Sequence, residues 1–326
     1  MRVVGVETSW WVGMAAKNWS QTTNGGVDEL FFKNDTVSLC LMVNRRNRTL
    51  RVIDFRAGPT VAKRNFVIAA AQREGVEKVF TLVERDEVST WTRLGFTREG
   101  SIPAFYKRSD AWILGAVVSQ VGPMPERSLV YEEDDPDEVP VYDDGSSSPA
   151  AGLAERTIQR AKRMLKDGIP EKSLPPIKLA VAREADVRKV TREAQRVGRA
   201  LTGFEPFGRD VLRTHYVLTA RGGFELYASW EVQQCFGNSF LEILTGPNTE
   251  PERLATIAAI RTLCDKLKEE GAVSTFTLAP ADDVGLASVY LANGFRRSAV
   301  LARHIVQGSD RKDAILWSKK LVIPES

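Results

Sequence analysis

The sequence predicts an α/β (α+β) protein built from two tandem units, each a mixed, mainly antiparallel sheet with flanking helices. Three observations predict it. The chain has 326 residues, and at roughly 100–200 residues per domain that favours two. Its halves share one order of elements: strand, strand, helix, strand, helix, strand, strand. Four short stretches also recur in the same order. Glu74-Gly75-Val76-Glu77-Lys78-Val79-Phe80-Thr81-Leu82 matches Glu270-Gly271-Ala272-Val273-Ser274-Thr275-Phe276-Thr277-Leu278. Leu94-Gly95-Phe96 parallels Asn293-Gly294-Phe295, Asp110-Ala111 parallels Asp313-Ala314, and Gly58-Pro59 parallels Gly246-Pro247.

In the first half, 36–43 and 49–55 are rich in β-formers and read as a hairpin around Asn44–Arg48. Residues 62–73 form a helix, with Phe66, Ala69 and Ala70 on one face and Gly75 ending it. A short buried strand at 79–83, a helix at 87–94 closed by Gly95, and strands at 102–106 and 111–118 follow. The second half opens with strand 177–183 and a basic helix, 185–201. Strands 215–220, 224–233 and 239–244, helix 252–269, strand 273–279, helix 283–292 and strands 298–306 and 313–321 complete it. The domains are then 1–120, with a shortened N-terminal part, and 177–326.

The segment between them, 121–176, reads as an acidic linker plus a helix. Glu132, Glu133, Asp134, Asp135, Asp137 and Glu138 form one run broken by Pro136. Such a stretch buries too little apolar surface to offset the entropy of ordering it. Residues 151–166 have near-helical apolar spacing, stopped by Gly168 and Pro170. The net charge of +3 is distributed as +5 over 1–120, −5 over 121–176 and +3 over 177–326. The acidic run is first a solvated linker; as a partner-binding segment it would meet a basic face such as helix 183–199.

Composition excludes several classes. No apolar run approaches the roughly 18–20 residues a bilayer requires, and no signal-peptide pattern opens the chain, so no membrane and a cytoplasmic location are expected. Cys40, Cys235 and Cys264 are odd in number and far apart, which fits neither a disulfide scaffold nor a zinc cluster. The two histidines, His215 and His304, exclude a multi-histidine metal centre. Helix 183–199 carries interspersed acids and no aromatic interleaving, which argues against nucleic acid. Cys264, between Leu263 and Leu267, reads as core, and Trp10 and Trp11 as cover for a sheet edge or a contact surface.

The helix–strand–helix-Gly-Phe–strand–strand series resembles the GNAT superfamily of acyl-CoA-dependent N-acetyltransferases. Within it the chain is most similar to the β-lysine N6-acetyltransferase family. The matching stretches are Asn34-Asp35, Glu99-Gly100-Ser101-Ile102-Pro103-Ala104-Phe105-Tyr106 with Asp110-Ala111, Phe204-Glu205-Pro206-Phe207, Ala228-Ser229-Trp230-Glu231, and Trp317-Ser318-Lys319-Lys320-Leu321. They cover most of the chain outside the acidic linker. The resemblance implies acetyl-CoA as acyl donor and a small amine, such as a lysine-like amino acid, as acceptor.

It also implies three site features. A tyrosine four residues before Gly-Phe protonates the departing thiolate; Tyr290 stands there before Gly294, whereas Trp91 stands before Gly95. A carboxylate on a central strand takes the amine proton, and Glu242 and Glu231 are the candidates, with Asp54 a weaker one in the first half. A glycine-rich turn at a helix N-terminus cradles the CoA diphosphate, which points to Leu244, Gly246, Arg253 and Leu254.

The cradle departs from the family. Thr245-Gly246-Pro247-Asn248-Thr249-Glu250-Pro251-Glu252 has no Gly-x-Gly, has two prolines that remove donors, and has two glutamates that face phosphate with negative charge. The first half's Arg56-Ala57-Gly58-Pro59-Thr60-Val61 keeps an arginine only. Losing two or three charge-assisted bonds would cost roughly 3–9 kcal/mol of donor affinity. Two expectations follow: an N-acetyltransferase acting through its second half, or a pseudo-acetyltransferase kept as a protein-binding or scaffolding module.

Overall fold

A computed structural model describes residues 19–24, 26–33, 38–54, 60–106, 109–122, 148–209, 211–233 and 237–322. The Asn34-Asp35 and Gly58-Pro59 features, Trp10, Trp11, Cys235 and the acidic run 132–138 lie outside them.

The architecture is mixed α/β. One large, mainly antiparallel sheet of 14 described strands carries helices on its faces. The first half contributes β1 (Trp19–Asn24), β2 (Val27–Lys33), β3 (Ser38–Asn44), β4 (Thr49–Asp54), α1 (Val61–Arg73), β5 (Lys78–Val83), α2 (Val88–Arg93), β6 (Thr97–Ile102) and β7 (Ala111–Val117). Next comes α3 (Pro149–Met164). The second half contributes β8 (Lys178–Val181), α4 (Glu184–Arg196), β9 (Leu212–Ala220), β10 (Phe224–Gln233), β11 (Asn238–Ile243), α5 (Glu250–Glu269), β12 (Ser274–Pro280), α6 (Val284–Ala292), β13 (Arg296–Gln307) and β14 (Asp310–Lys320).

Sheet order is β1-β2-β3-β4-β5-β7-β6 in the first half. It continues β13-β14-β12-β11-β10-β9-β8, which is the same order read from the other edge. The local chemistry repeats as well. Thr60 and Thr249 are extended N-caps whose hydroxyls accept from Lys63 N and Glu252 N. Gly75 and Gly271 follow α1 and α5 with φ of 66° and 87°, a backbone that glycine adopts without a Cβ penalty. Both β6–β7 and β13–β14 contain a register shift, between Arg98 and Gly100 and between Arg297 and Ala299.

The halves join edge to edge at one residue pair, Gly100 with Ala299. Counted from Gly95 and Gly294, these two occupy corresponding positions, so an approximate two-fold axis runs through the pair. A Cβ on Gly100 would lie 2.5 Å from Ala299 Cα, and Gly100 has φ of 139°. Gly100→Ala is therefore expected to cost about 1–3 kcal/mol, as overpacking does, read as a lower urea midpoint. An unchanged midpoint would mean that the seam is looser than described.

The described core has a main cluster in each half. A third cluster spans both, with Phe80, Phe105 and Ile113 against Phe240, Phe276 and Leu316. Asn238 Nδ2 donates to Phe105 O across the seam at 2.7 Å, and Arg311 Nη1 to Asn47 O at 2.7 Å.

Two expectations need correction. The strand placed at 102–106 is β6 at Thr97–Ile102. Residues 103–106 instead make a turn, fixed by Asp110 Oδ1 accepting from Ala104 N, while Phe105 fills the shared core. The basic helix stops at Arg196, because Gly198 takes φ of 69°. In the first half β1 and β2 pair as a hairpin beside β3, and among the described residues no helix lies between them, where the second half has α4 between β8 and β9. The interdomain helix is α3, which puts Ala154, Ile158 and Ala161 into the second half's core. No helix among the described residues is long and apolar enough to cross a membrane.

Candidate active site

β11 and β12 run parallel but pair only over Asn238–Phe240 and Ser274–Phe276. Each then continues to its own end, Ile243 and Pro280, so a gap opens between them. β4 and β5 part in the same way after Val52 and Thr81. Alternation along a strand sends successive side chains to opposite faces. Leu241 and Ile243 therefore face the helices α5 and α6, while Phe240 and Glu242 face away from them.

Tyr290, on α6, lies on the helix side of this gap. It is 0% exposed, and its hydroxyl lies 3.4 Å from the Thr277 hydroxyl, on the first residue beyond the paired stretch. Burial pushes its pKa well above the usual tyrosine value. Glu242 lies on the other side. Its side chain is 12% exposed and lines a small cavity of about 70 Å³ together with Phe240, Leu278, Thr202, Arg51 and His304. Glu242 Oε1 accepts from Thr202 Oγ1 at 2.6 Å, and Oε2 pairs with Arg213. Burial raises its pKa above the usual carboxylate value, against the pull of Arg213.

Glu231 has a different setting. Completely buried, it accepts from Phe207 N and Gly208 N at 2.9 Å each, and from Arg213. Arg213 thus bridges both glutamates and also donates to Glu205 O at 2.7 Å. Sequence reading missed Arg213 and Thr202. Their partners lie 18 to 40 residues away and meet only through strand register.

At corresponding register positions the first half has none of this polar set. Counted from the paired residues of β3–β4 and β10–β11, Ile53 corresponds to Glu242 and Met42 to Glu231. Trp91 corresponds to Tyr290 and packs edge-on against Phe96 at 4.8 Å. The Asp54 side chain is outside the described residues.

The residues expected at the diphosphate end lie together at the start of α5, where the backbone N–H groups of Asn248, Glu252 and Arg253 are already engaged. Thr249 caps Glu252 N, and Asn248 N donates to Glu252 Oε2 at 2.8 Å, so the helix's own carboxylate sits where an anion would. Both backbone groups of Leu244 are bonded, to Leu201 and Tyr227. Gly246 O accepts from Arg199 at 3.1 Å. Arg253 is buried, bonded to Glu250 and to Ser288 Oγ, and Leu254 is half-buried. Arg199, 43% exposed and within 3.8 Å of Glu252, is the cation that sequence reading did not place here.

Both histidines pack edge-on against phenylalanine rings, His215 against Phe204 at 5.2 Å. His304 is buried edge-on against Phe80 at 4.8 Å, and burial holds its pKa down to about 3. Cys264 is buried as expected, with its thiol pushed up to about 11. Among the described residues no group of acidic, histidine or cysteine side chains could hold a metal.

No protein-family model and no curated protein matches the chain. Solved structures similar to it include N-acetyltransferases. The ribosomal-protein-S18-alanine N-acetyltransferase from Escherichia coli is 18% identical, with a TM-score of 0.36 over 46% of this chain and 97% of its own. Spermidine N-acetyltransferase from Vibrio cholerae, solved with CoA and spermine, is 10% identical, with a TM-score of 0.37 over 44% and 95%. A protein from Salmonella typhimurium described as a putative acetyltransferase, solved with acetyl-CoA, is 13% identical, with a TM-score of 0.34 over 45% and 94%.

Proposed function

We propose that the chain is two divergent copies of one acetyltransferase-like unit, 1–120 and 177–326 joined by 121–176, and that the second transfers an acyl group from acyl-CoA to a small amine. One observation carries this reading. Tyr290 and Glu242 lie on opposite faces of the gap between β11 and β12, where the first half has Trp91 and Ile53. Two proton-handling groups are kept at one gap and replaced by apolar side chains at the other.

The gap suits an extended arm bearing amides, because the diverging ends of β11 and β12 do not pair with each other. The turn at α5 does not suit a backbone-cradled diphosphate, so Arg199 would hold that group instead. With donor and amine in place, Glu242 takes the proton from the attacking nitrogen. Tyr290 gives its proton to the departing sulfur as the carbon–sulfur bond breaks. Glu231 holds the loop beside the base rather than acting as the base. The cavity's small volume supports a compact acceptor such as a lysine-like amino acid reaching Glu242 amine-first.

The test is release of free thiol from acetyl-CoA by the full chain against a panel of primary amines. Release should depend on amine and rise with pH through a pKa above the usual 4.5 of a glutamate, since burial favours the neutral acid. Glu242→Gln is expected to lower the rate about 10²–10⁴-fold and abolish that limb. An unchanged limb would remove Glu242 from the mechanism.

One observation favours a second reading. Glu252 fills the anion position of α5 from within. A pseudo-acetyltransferase serving as a protein-binding module would show neither donor binding nor thiol release.

A further inference from the structure

Residues 205–209 pass between the two halves, and each half holds one side of them. On the inner side, Glu231 takes the amides of Phe207 and Gly208, and Arg213 takes the carbonyl of Glu205. On the outer side the described partners come from the first half. Arg46 lies 3.9 Å from Glu205, and Arg209 lies 3.5 Å from Glu29 and 4.6 Å from the Phe31 ring. Arg51 Nη1 donates to Phe207 O at 2.5 Å, with its guanidinium carbon 4.7 Å over the Phe207 ring. That ring packs against Phe240 and Phe276, the last paired residues before the gap opens.

We propose that Arg51 of the first half is a positioning residue for Glu242 of the second. Arg51 fixes Phe207, the amides of Phe207 and Gly208 fix Glu231, and Glu231 and Glu242 share Arg213. The proposal rests on the reading of Glu242 as the base. The first half then serves as the template against which the acceptor-side loop is set. The register supports that division, since Arg51 corresponds to Phe240, so the two halves present a guanidinium and an aromatic ring to one another.

A planar guanidinium can donate and stack at once, and lysine can only donate. Arg51→Met removes both contacts and Arg51→Lys removes one. Misplacing a catalytic group by a fraction of an ångström to an ångström lowers rates ten- to a hundredfold. The charged and polar groups around Glu242 are Arg213 on β9, Glu231 on β10, Glu205 and Thr202 on the loop, and Tyr290 on α6, with Arg51 of β4 and His304 of β13 lining the same cavity. Of these only Arg51 is altered, and Arg51→Lys keeps its positive charge.

Three readouts test the proposal on the full chain. Amide hydrogen exchange at Phe207 and Gly208 should quicken at least tenfold in Arg51→Met and less in Arg51→Lys, while exchange at Phe276 and Thr277 stays put. The Glu242 carboxyl titration, followed by carbon-13 labelling, should move in the same order. Amine-dependent thiol release should fall about ten- to a hundredfold in kcat, with KM for acetyl-CoA unchanged. Exchange and titration unchanged in both variants would overturn the proposal whether or not the chain is an enzyme. Their movement without any thiol release in the parent would keep the coupling and sink the acyl-transfer reading alone.

Discussion

Replacing Lys78 by methionine should cost about 3–5 kcal/mol of folding stability, the usual result of leaving one buried charge without its partner. The Lys78 and Glu99 side chains are 1% and 6% exposed and form an ion pair at the seam. Glu99 Oε1 also accepts from Ala302 N of β13 at 3.0 Å, so the pair fastens β6 to the second half where backbone pairing is limited to Gly100 and Ala299. Gly115 makes room for it: a Cβ there would lie 2.6 Å from Lys78 Nζ.

The sign of the pH dependence follows from Glu99. Burial already raises its pKa in the folded protein, and Lys78 pulls it down. Without Lys78 the folded pKa rises further above the unfolded value. The added cost is then absent below the unfolded pKa and grows as pH climbs through the folded one. Urea unfolding of Lys78→Met should therefore show a small deficit near pH 4 and the full one near pH 8. The double variant Lys78→Met, Glu99→Leu should recover most of the loss, because an apolar pair of similar volume replaces a buried ion pair at little cost. A deficit that does not vary with pH would mean that lost packing, not an unpaired carboxylate, is responsible.

Tyr290→Phe should lower kcat for acyl transfer about 10²–10⁴-fold, the range of a general acid. The structural cost is small. The hydroxyl has one described partner, Thr277 Oγ1 at 3.4 Å, and one neutral hydrogen bond contributes about 1 kcal/mol. The ring contacts to Phe295 and Trp317 stay. Because burial holds the phenol well above its ordinary pKa of 10.0, the group remains protonated across any practical assay range. The parent should show no alkaline limb from it. A normal kcat with a lowered melting point would make Tyr290 a core residue only.

Much of the fold was legible because it is written twice. The Glu-Gly turn, the Phe-Thr-Leu strand and the Gly-Phe turn recur, and each maps onto a matching helix end and strand in both halves. The β1–β2 hairpin was missed although Asn24-Gly25-Gly26 is a turn signal. Its polar first strand, Trp19–Asn24, finds its place by pairing with β2 rather than by its own pattern. The family resemblance singled out Tyr290 and Glu242 as candidates by their places before Gly294 and Gly246. Arg213, Thr202, Arg199 and Arg51 could not be singled out, since each acts on partners brought close only by sheet register or by the meeting of the halves.

In the proposed function the second half's gap takes the acyl donor and the first half's does not. Hydrogen exchange of the full chain with and without millimolar acetyl-CoA tests it directly. Slowed exchange is expected at 241–246 and 277–280, with none added at 52–54 and 82–83. No protection anywhere, or protection confined to the first half, would contradict it.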